Sequence, residues 1–299
     1  SMFKDILVFI LSFILLILLF VYSMVLSLGN FLTVDNITKT LKESDFTAFY
    51  EDSDGNETEI ISSFRVLLEN VGVPEETITD VVNSDATKEF IGEYVGNSIE
   101  ATINDTDQKP LSDEDVVDLV RGNMEIITSD LEEAGLPVSE EVQDEILTLT
   151  YENAHILTEN MPSGEEIITL TGNDKINELT TLSKLLLSDS TKFTLLISIG
   201  ACLLFLILLR LKKFRFLKTI SAPFIINAVV LVVVSMFLKD YIVNFILSSS
   251  NTFKIVFSPI MDSLFDLLFK YGIFSFVIGI ALIVIYQIQR KVLGKWKML

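Results

Sequence analysis

The sequence predicts an all-α fold of a particular kind: a four-span helical membrane protein with a large acidic helical extracytoplasmic domain between spans 1 and 2. Three observations carry this. Half of the 299 residues are hydrophobic and the mean hydropathy is +0.51, values of a chain solvated in part by lipid. Charge is steeply divided: residues 30–192 hold 37 acidic and 9 basic side chains, a net of −28, and the remainder holds 4 and 13, a net of +9. A division of that size separates an object in water from one in lipid. Finally, Arg210–Lys218, reading Arg-Leu-Lys-Lys-Phe-Arg-Phe-Leu-Lys, sets five cations and no acid between two apolar runs. Short loops of this kind stay cytoplasmic, because translocating them is unfavourable and anionic lipid attracts them. Arg210, Lys212, Lys213, Arg215 and Lys218 therefore orient the chain and place the acidic block outside.

Residues 1–29 read as an N-terminal transmembrane anchor. Ile6–Leu28 is an uncharged run of 23 residues, which at about 1.5 Å per residue crosses a hydrocarbon core of about 30 Å with some tilt. A cleaved signal peptide competes, since Lys4 is a positive flank and Val25-Leu26-Ser27 a passable cleavage site. The run is longer than the about 7 to 15 apolar residues of a signal core, which favours an uncleaved anchor with its N-terminus inside.

Residues 30–191 read as the acidic helical domain. Phe64, Leu67, Leu68 and Val71, and later Ile146, Leu149, Thr150 and Asn153, recur at helical spacing. Ser112 with Asp115, and Ser163 with Glu166, are capping boxes, and Asp85 and Asn173 are further N-cap candidates. Glu69-Asn70-Val71-Gly72-Val73-Pro74 is similar to Glu132-Glu133-Ala134-Gly135-Leu136-Pro137. Each glycine can take the left-handed conformation that ends a helix, and each proline can begin the next. A duplicated helix hairpin and two similar helix turns both account for this.

Residues 192–299 hold three further spans, Phe193–Leu209, Ile220–Leu238 and Tyr271–Gln289, the last followed by Arg290, Lys291, Lys295 and Lys297 on the side of the basic loop at 210–218. Two small-residue stripes mark helix-packing candidates: Thr194, Ser198 and Cys202 on the second span, and Gly272, Ser275 and Gly279 on the fourth. Asn227 is the strongly polar interior residue of the third. Between spans 3 and 4, residues 253–270 form an amphipathic helix, lying outside the bilayer, re-entering it, or forming part of a longer fourth helix. Its polar ribbon runs through Lys254, Ser258, Asp262, Asp266 and Lys270 at four-residue steps, with an ion pair expected between Asp266 and Lys270.

Candidate chemistry is sparse. His155, the single histidine, stands in Glu152-Asn153-Ala154-His155, a spacing used in di-iron bundles, but the second motif those sites need is missing, so a surface histidine is the reading. Asp52, Asp54 and Glu57 alternate as in a calcium loop, yet the sixth and twelfth positions of an EF-hand would be Glu57 and Ser63 rather than Gly and Glu. A polar turn is favoured, with weak divalent-cation binding as the alternative and no cofactor expected. Cys202 is the single cysteine, so no internal disulfide can form, which fits a bacterial or archaeal envelope. The net negative block excludes nucleic acid as its partner. The expectation is a non-enzymatic, multi-pass plasma-membrane protein with both termini cytoplasmic and residues 30–191 extracellular. Its outer domain binds a protein partner, an envelope component or cations as a sensor, scaffold or accessory subunit. The alternative is an oligomeric channel or transporter component with a path along the 253–270 ribbon.

Overall fold

The computed structural model describes residues 2–43, 50, 56–104, 111–161, 174–246 and 251–296. Among them the regular structure is helical throughout, with no strand. The helices are α1 (Met2–Phe31), α2 (Val34–Lys42), α3 (Glu59–Asn70), α4 (Glu75–Val82), α5 (Asp85–Ile103), α6 (Asp113–Gly122), α7 (Met124–Glu133), α8 (Glu140–Asn153), α9 (His155–Thr158), α10 (Asp174–Leu187), α11 (Asp189–Arg210), α12 (Arg215–Val233), α13 (Lys239–Ile246) and α14 (Asn251–Trp296). Among the described residues, four stretches are long and apolar enough to cross a membrane: Met2–Phe31, Asp189–Arg210, Arg215–Ile242 and Ser258–Val292. The chain divides into two compact units, one of Ser1–Phe31, Leu182–Val243 and Asp262–Leu299, the other of Leu32–Thr181 and Asn244–Met261.

In the first unit α1 packs on α11 and α12, and α11 on α12. Leu15 and Leu19 of α1, Cys202 and Leu206 of α11 and Ile220 of α12 form its core. Phe9, Phe13, Phe193, Phe205, Val229 and Phe274 point outward and stay exposed. A helical unit this apolar on its outer faces is stable where lipid, not water, is the solvent, because its backbone polar groups are satisfied within the helices.

The second unit is built from shorter amphipathic helices. α2 crosses α5 at close range: a Cβ added to Gly92 would lie 2.9 Å from the Thr38 Cα, and one added to Gly96 would lie 3.0 Å from the Val34 Cα. The two helices meet backbone to backbone, and Ile37 and Leu41 of α2 are buried by that contact.

Helix ends follow local chemistry. Ser112 and Asp115 form the reciprocal capping box at the start of α6. α5 is capped by Ser84, whose hydroxyl accepts from the Thr87 amide. Asp85, the expected cap, is instead the first helical residue, where its charge suits the helix dipole. Ser163, Glu166 and Asn173 lie outside the described residues. The two similar segments end their helices identically: Gly72 (φ 86°) and Gly135 (φ 78°) are left-handed, and the next residue's amide reaches back five positions, Val73 to Leu68 at 3.0 Å and Leu136 to Leu131 at 2.9 Å. This is the Schellman motif. The helices that follow differ in what they pack on, α4 on α3 but α8 on α6, so the similarity is one of turns rather than of packed hairpins.

Three expectations about the apolar region change. The basic segment is hardly a loop: α11 runs to Arg210, a single tight turn covers 211–214, and Arg215 and Lys218 already belong to α12. The third span, expected over Ile220–Leu238, begins at Arg215 and runs through a π-turn, Val234–Leu238, past Leu238 into α13. Of the placements open to the 253–270 segment, the structure takes the longer fourth helix rather than a separate amphipathic one. The segment is the first part of one helix of 46 residues, Asn251–Trp296, that accommodates Pro259 and passes 270–272 unbroken. Gly272 does not interrupt it because that glycine is held in the packing seam against Ala228, Leu231 and Val232.

Candidate functional site

Asn227 and Ser275, buried polar side chains of the third and fourth spans, meet along the seam between α12 and α14. Gly272, Ser275 and Gly279 advance by three and four residues, a net turn of about −20° at about 100° per residue, so they stay on one face. A Cβ on Gly279 would meet the Ile225 Cγ1 at 2.6 Å, and one on Gly272 would meet the Leu231 Cβ at 3.2 Å. This closeness lets the Ser275 hydroxyl donate across the seam to the Phe224 carbonyl at 2.8 Å.

Asn227, 1% exposed, sits beside that bond. Its Nδ2 donates to the Ser275 Oγ at 3.3 Å and to the Ser23 Oγ of α1 at 3.5 Å. The Ser23 hydroxyl is itself committed to the Leu19 carbonyl at 2.8 Å. Both serines thus use their single proton on a backbone carbonyl and can only accept from Asn227. That fixes the amide's orientation and leaves its Oδ1 without a partner. Three helices are joined at this node.

Twelve residues beyond Asn227, Lys239 pairs with Asp262 of α14 at 2.9 Å. In an unbroken α-helix that separation would turn Lys239 about 120° away from Asn227. The π-turn between them takes up one extra residue, so the effective separation is eleven and the two side chains fall within about 20° of each other. The π-turn thereby delivers Lys239, rather than Leu238, to the α14 side, and Leu238 is left exposed. Asp266 and Asp240 also lie within electrostatic reach of Lys239.

The remaining sequence candidates distribute as follows. Of the ribbon, Asp262 is engaged by Lys239, Asp266 and Lys270 are exposed without the expected ion pair between them, Ser258 is half-buried, and the side chain of Lys254 lies outside the described residues. The stripe on α11 is split: Cys202 is buried, Ser198 half-buried and Thr194 exposed. Steps of four drift about 40° each on a helix, so the face that packs is Leu195, Cys202 and Leu206 instead. Asp52 and Asp54 lie outside the described residues, and Glu57 is held by Arg65. His155 is exposed at the start of α9, with Nδ1 3.2 Å from the Glu152 carbonyl. Among the described residues, no three histidine, cysteine or acidic side chains converge as metal ligands.

In the second unit the acids crowd one another. Burial, and then Glu89, Asp115, Asp118 and Asp35, hold the Glu93 carboxyl above its ordinary range. Lys42 bonds Glu89 at 2.8 Å, and that bond holds the lysine's pKa above its usual value. Sequence reasoning passed over the packing of Gly92 on Thr38 and of Gly96 on Val34, although the Gly92-x-x-x-Gly96 spacing was there to be read. It also passed over Lys239 and Ser23, whose roles have no local signal.

Among the described residues the fold is all-helical with four membrane-length helices, the class of a multi-pass membrane protein. No family model matches it, and no curated protein or solved structure matches it either.

Proposed function

We propose that this chain is a non-enzymatic plasma-membrane protein with both termini in the cytoplasm. Residues 30–191 lie outside and bind a protein partner, an envelope component or cations, so that the chain serves as a sensor, scaffold or accessory subunit. The observation that carries the reading is how the polar groups are used. In the membrane-length helices, Asn227, Ser23, Ser275, Lys239 and Asp262 are bonded to one another, whereas the acid-rich unit displays its charges at its surface. Membrane helices that commit these polar groups to packing serve to hold, and the acidic surface is the larger one available to bind. The orientation follows from the cations at 210–218 and 290–291.

The ribbon is poorly suited to an ion path, since Asp262 is neutralised by a lysine of the neighbouring span. The test places a photo-activatable residue at Leu136 or Tyr151, two exposed apolar positions of the acidic unit, in the full chain in intact cells. Each is expected to give a defined adduct, and liposomes holding the purified protein are expected to pass no ions. Cation flux that disappears in Asp262→Ala would overturn the binding-module reading. Labelling of a cysteine at position 213 by an impermeant reagent in intact cells would overturn the topology.

A further inference from the structure

The turn joining α11 to α12 carries more charge and more exposed apolar surface than a helix connection requires. We propose that it is a docking patch for the phosphate-bearing headgroups of anionic lipid, with Phe214 as its apolar anchor. This deepens the membrane-protein reading above and rests on the placement of the turn at a membrane surface.

Lys212, Arg215 and Lys218 are exposed and form no ion pair among the described residues; Arg210, at the end of α11, is neutralised by Asp5 of α1. Arg215 and Lys218 occupy the first turn of α12, where the helix dipole is already positive, and that turn has neither an acid nor a side-chain cap. The contrast with the rest of the chain is sharp. α6 opens with a capping box and three acids, and α11 opens with a serine cap and Asp189. Among the described residues no acid pairs with these three cations, so an anionic group from outside the chain can supply their compensating charge.

The apolar residues specify the source. Leu211 is 54% exposed and Phe214 38%, and the Phe214 ring lies 6.2 Å from that of Phe216. Phe214 has φ 54°, a left-handed conformation that bulky residues avoid. Glycine or asparagine would meet the needs of the turn with less strain, so the turn itself does not account for an aromatic ring here. An aromatic between cations at the end of membrane-length helices sits at headgroup level, with its ring toward the acyl region and the cations toward phosphate. A free anion in water would gain nothing from Leu211 and Phe214.

The experiment uses the purified full chain in phosphatidylcholine bilayers, with spin-labelled phosphatidylglycerol or spin-labelled phosphatidylcholine as the probe. The anionic probe is expected to associate at least about threefold more strongly with the wild type. The ratio is expected to fall toward one in the K212Q/R215Q/K218Q variant and to persist in K212R/K218R. Phe214→Gly is expected to lower the ratio while leaving the melting temperature unchanged or raised, a combination that a purely structural role would not produce. A ratio near one in the wild type, or one unaltered by K212Q/R215Q/K218Q, would overturn the proposal. So would loss of the preference in excess inorganic phosphate at matched ionic strength, which would assign the patch to a free anion. Cysteine accessibility at position 213 reports the side of the membrane separately, so failure of the topology and failure of the lipid patch are distinguishable.

Discussion

Replacing Gly279 by alanine adds one methyl group to the tightest point between α12 and α14. Its Cβ would stand 2.6 Å from the Ile225 Cγ1 and 3.3 Å from both the Ile225 amide nitrogen and the Ser221 carbonyl oxygen. Carbon atoms in contact prefer about 3.5 to 4.0 Å, so the overlap is about 1 Å. A rotation of Ile225 could move its Cγ1, but the two backbone atoms cannot move without the helix. The helices must separate, and overpacking of this type costs about 1 to 3 kcal/mol. Separation also stretches the bond from Ser275 to the Phe224 carbonyl, now 2.8 Å, which contributes about 0.5 to 1.5 kcal/mol. The expected loss is therefore about 2 to 4 kcal/mol, or about 5 °C or more in melting temperature.

Gly200→Ala is the matched control. Nothing lies within 4 Å of its added Cβ, and removing a glycine from a helix interior stabilises by about 0.5 to 1 kcal/mol. Thermal unfolding of both variants in the same detergent, followed by circular dichroism at 222 nm, reads the comparison. If Gly279→Ala melts at or above the wild-type temperature, or Gly200→Ala falls as far, the seam is not the close contact described here.

Four further outcomes are expected. Gly96→Ala pushes α2 off α5, because its Cβ would meet the Val34 Cα at 3.0 Å; a loss of about 1 to 3 kcal/mol is expected, and unchanged melting of the acidic unit would refute it. Gly135→Ala has open space around the new methyl group and meets only the strain of φ 78°, about 1 to 2 kcal/mol; Gly135→Asn should lose less, and equal losses would point away from backbone strain. Glu93 has its higher pKa in the folded state, so the folded state holds more protons than the unfolded one between the two values, and the destabilisation is present at neutral pH and relieved as pH falls through the raised value. Glu93→Gln should therefore stabilise at pH 7 and by nothing below about pH 4, and a gain equal at both pH values would show the cause is not charge. Deleting Phe237 should convert the π-turn to regular α-helix and keep Lys239 facing Asp262, with melting unchanged or raised, whereas deleting Val230 rotates buried Leu231 by about 100° and should lower it; the opposite order would sink the phase argument.

By itself the sequence determined what depends on few neighbouring residues. An apolar run of 23 residues has one economical environment, and Ser112 with Asp115 closes a capping box within a single turn. Gly72 and Gly135 end helices because their neighbours supply the amide and carbonyl of the cap. That Gly272, Ser275 and Gly279 share a face is also readable, since a helix period alone decides it. Tertiary structure decided everything that needs a second helix. Whether 253–270 stands apart or runs on into the fourth span depends on whether Gly272 is exposed, where it would weaken the helix, or seated against Ala228 and Leu231. Thr194, Ser198 and Cys202 look equivalent in sequence, but α1 and α12 choose the face of α11 that is buried, and that choice passes Thr194 over. The π-turn has no composition of its own: Val234–Leu238 would serve equally well in an α-helix, and the extra residue is held there because Asn227 must meet Ser275 while Lys239 meets Asp262. Those two bonds lie on a different helix from the residues whose conformation they set, so no window along the chain contains the reason.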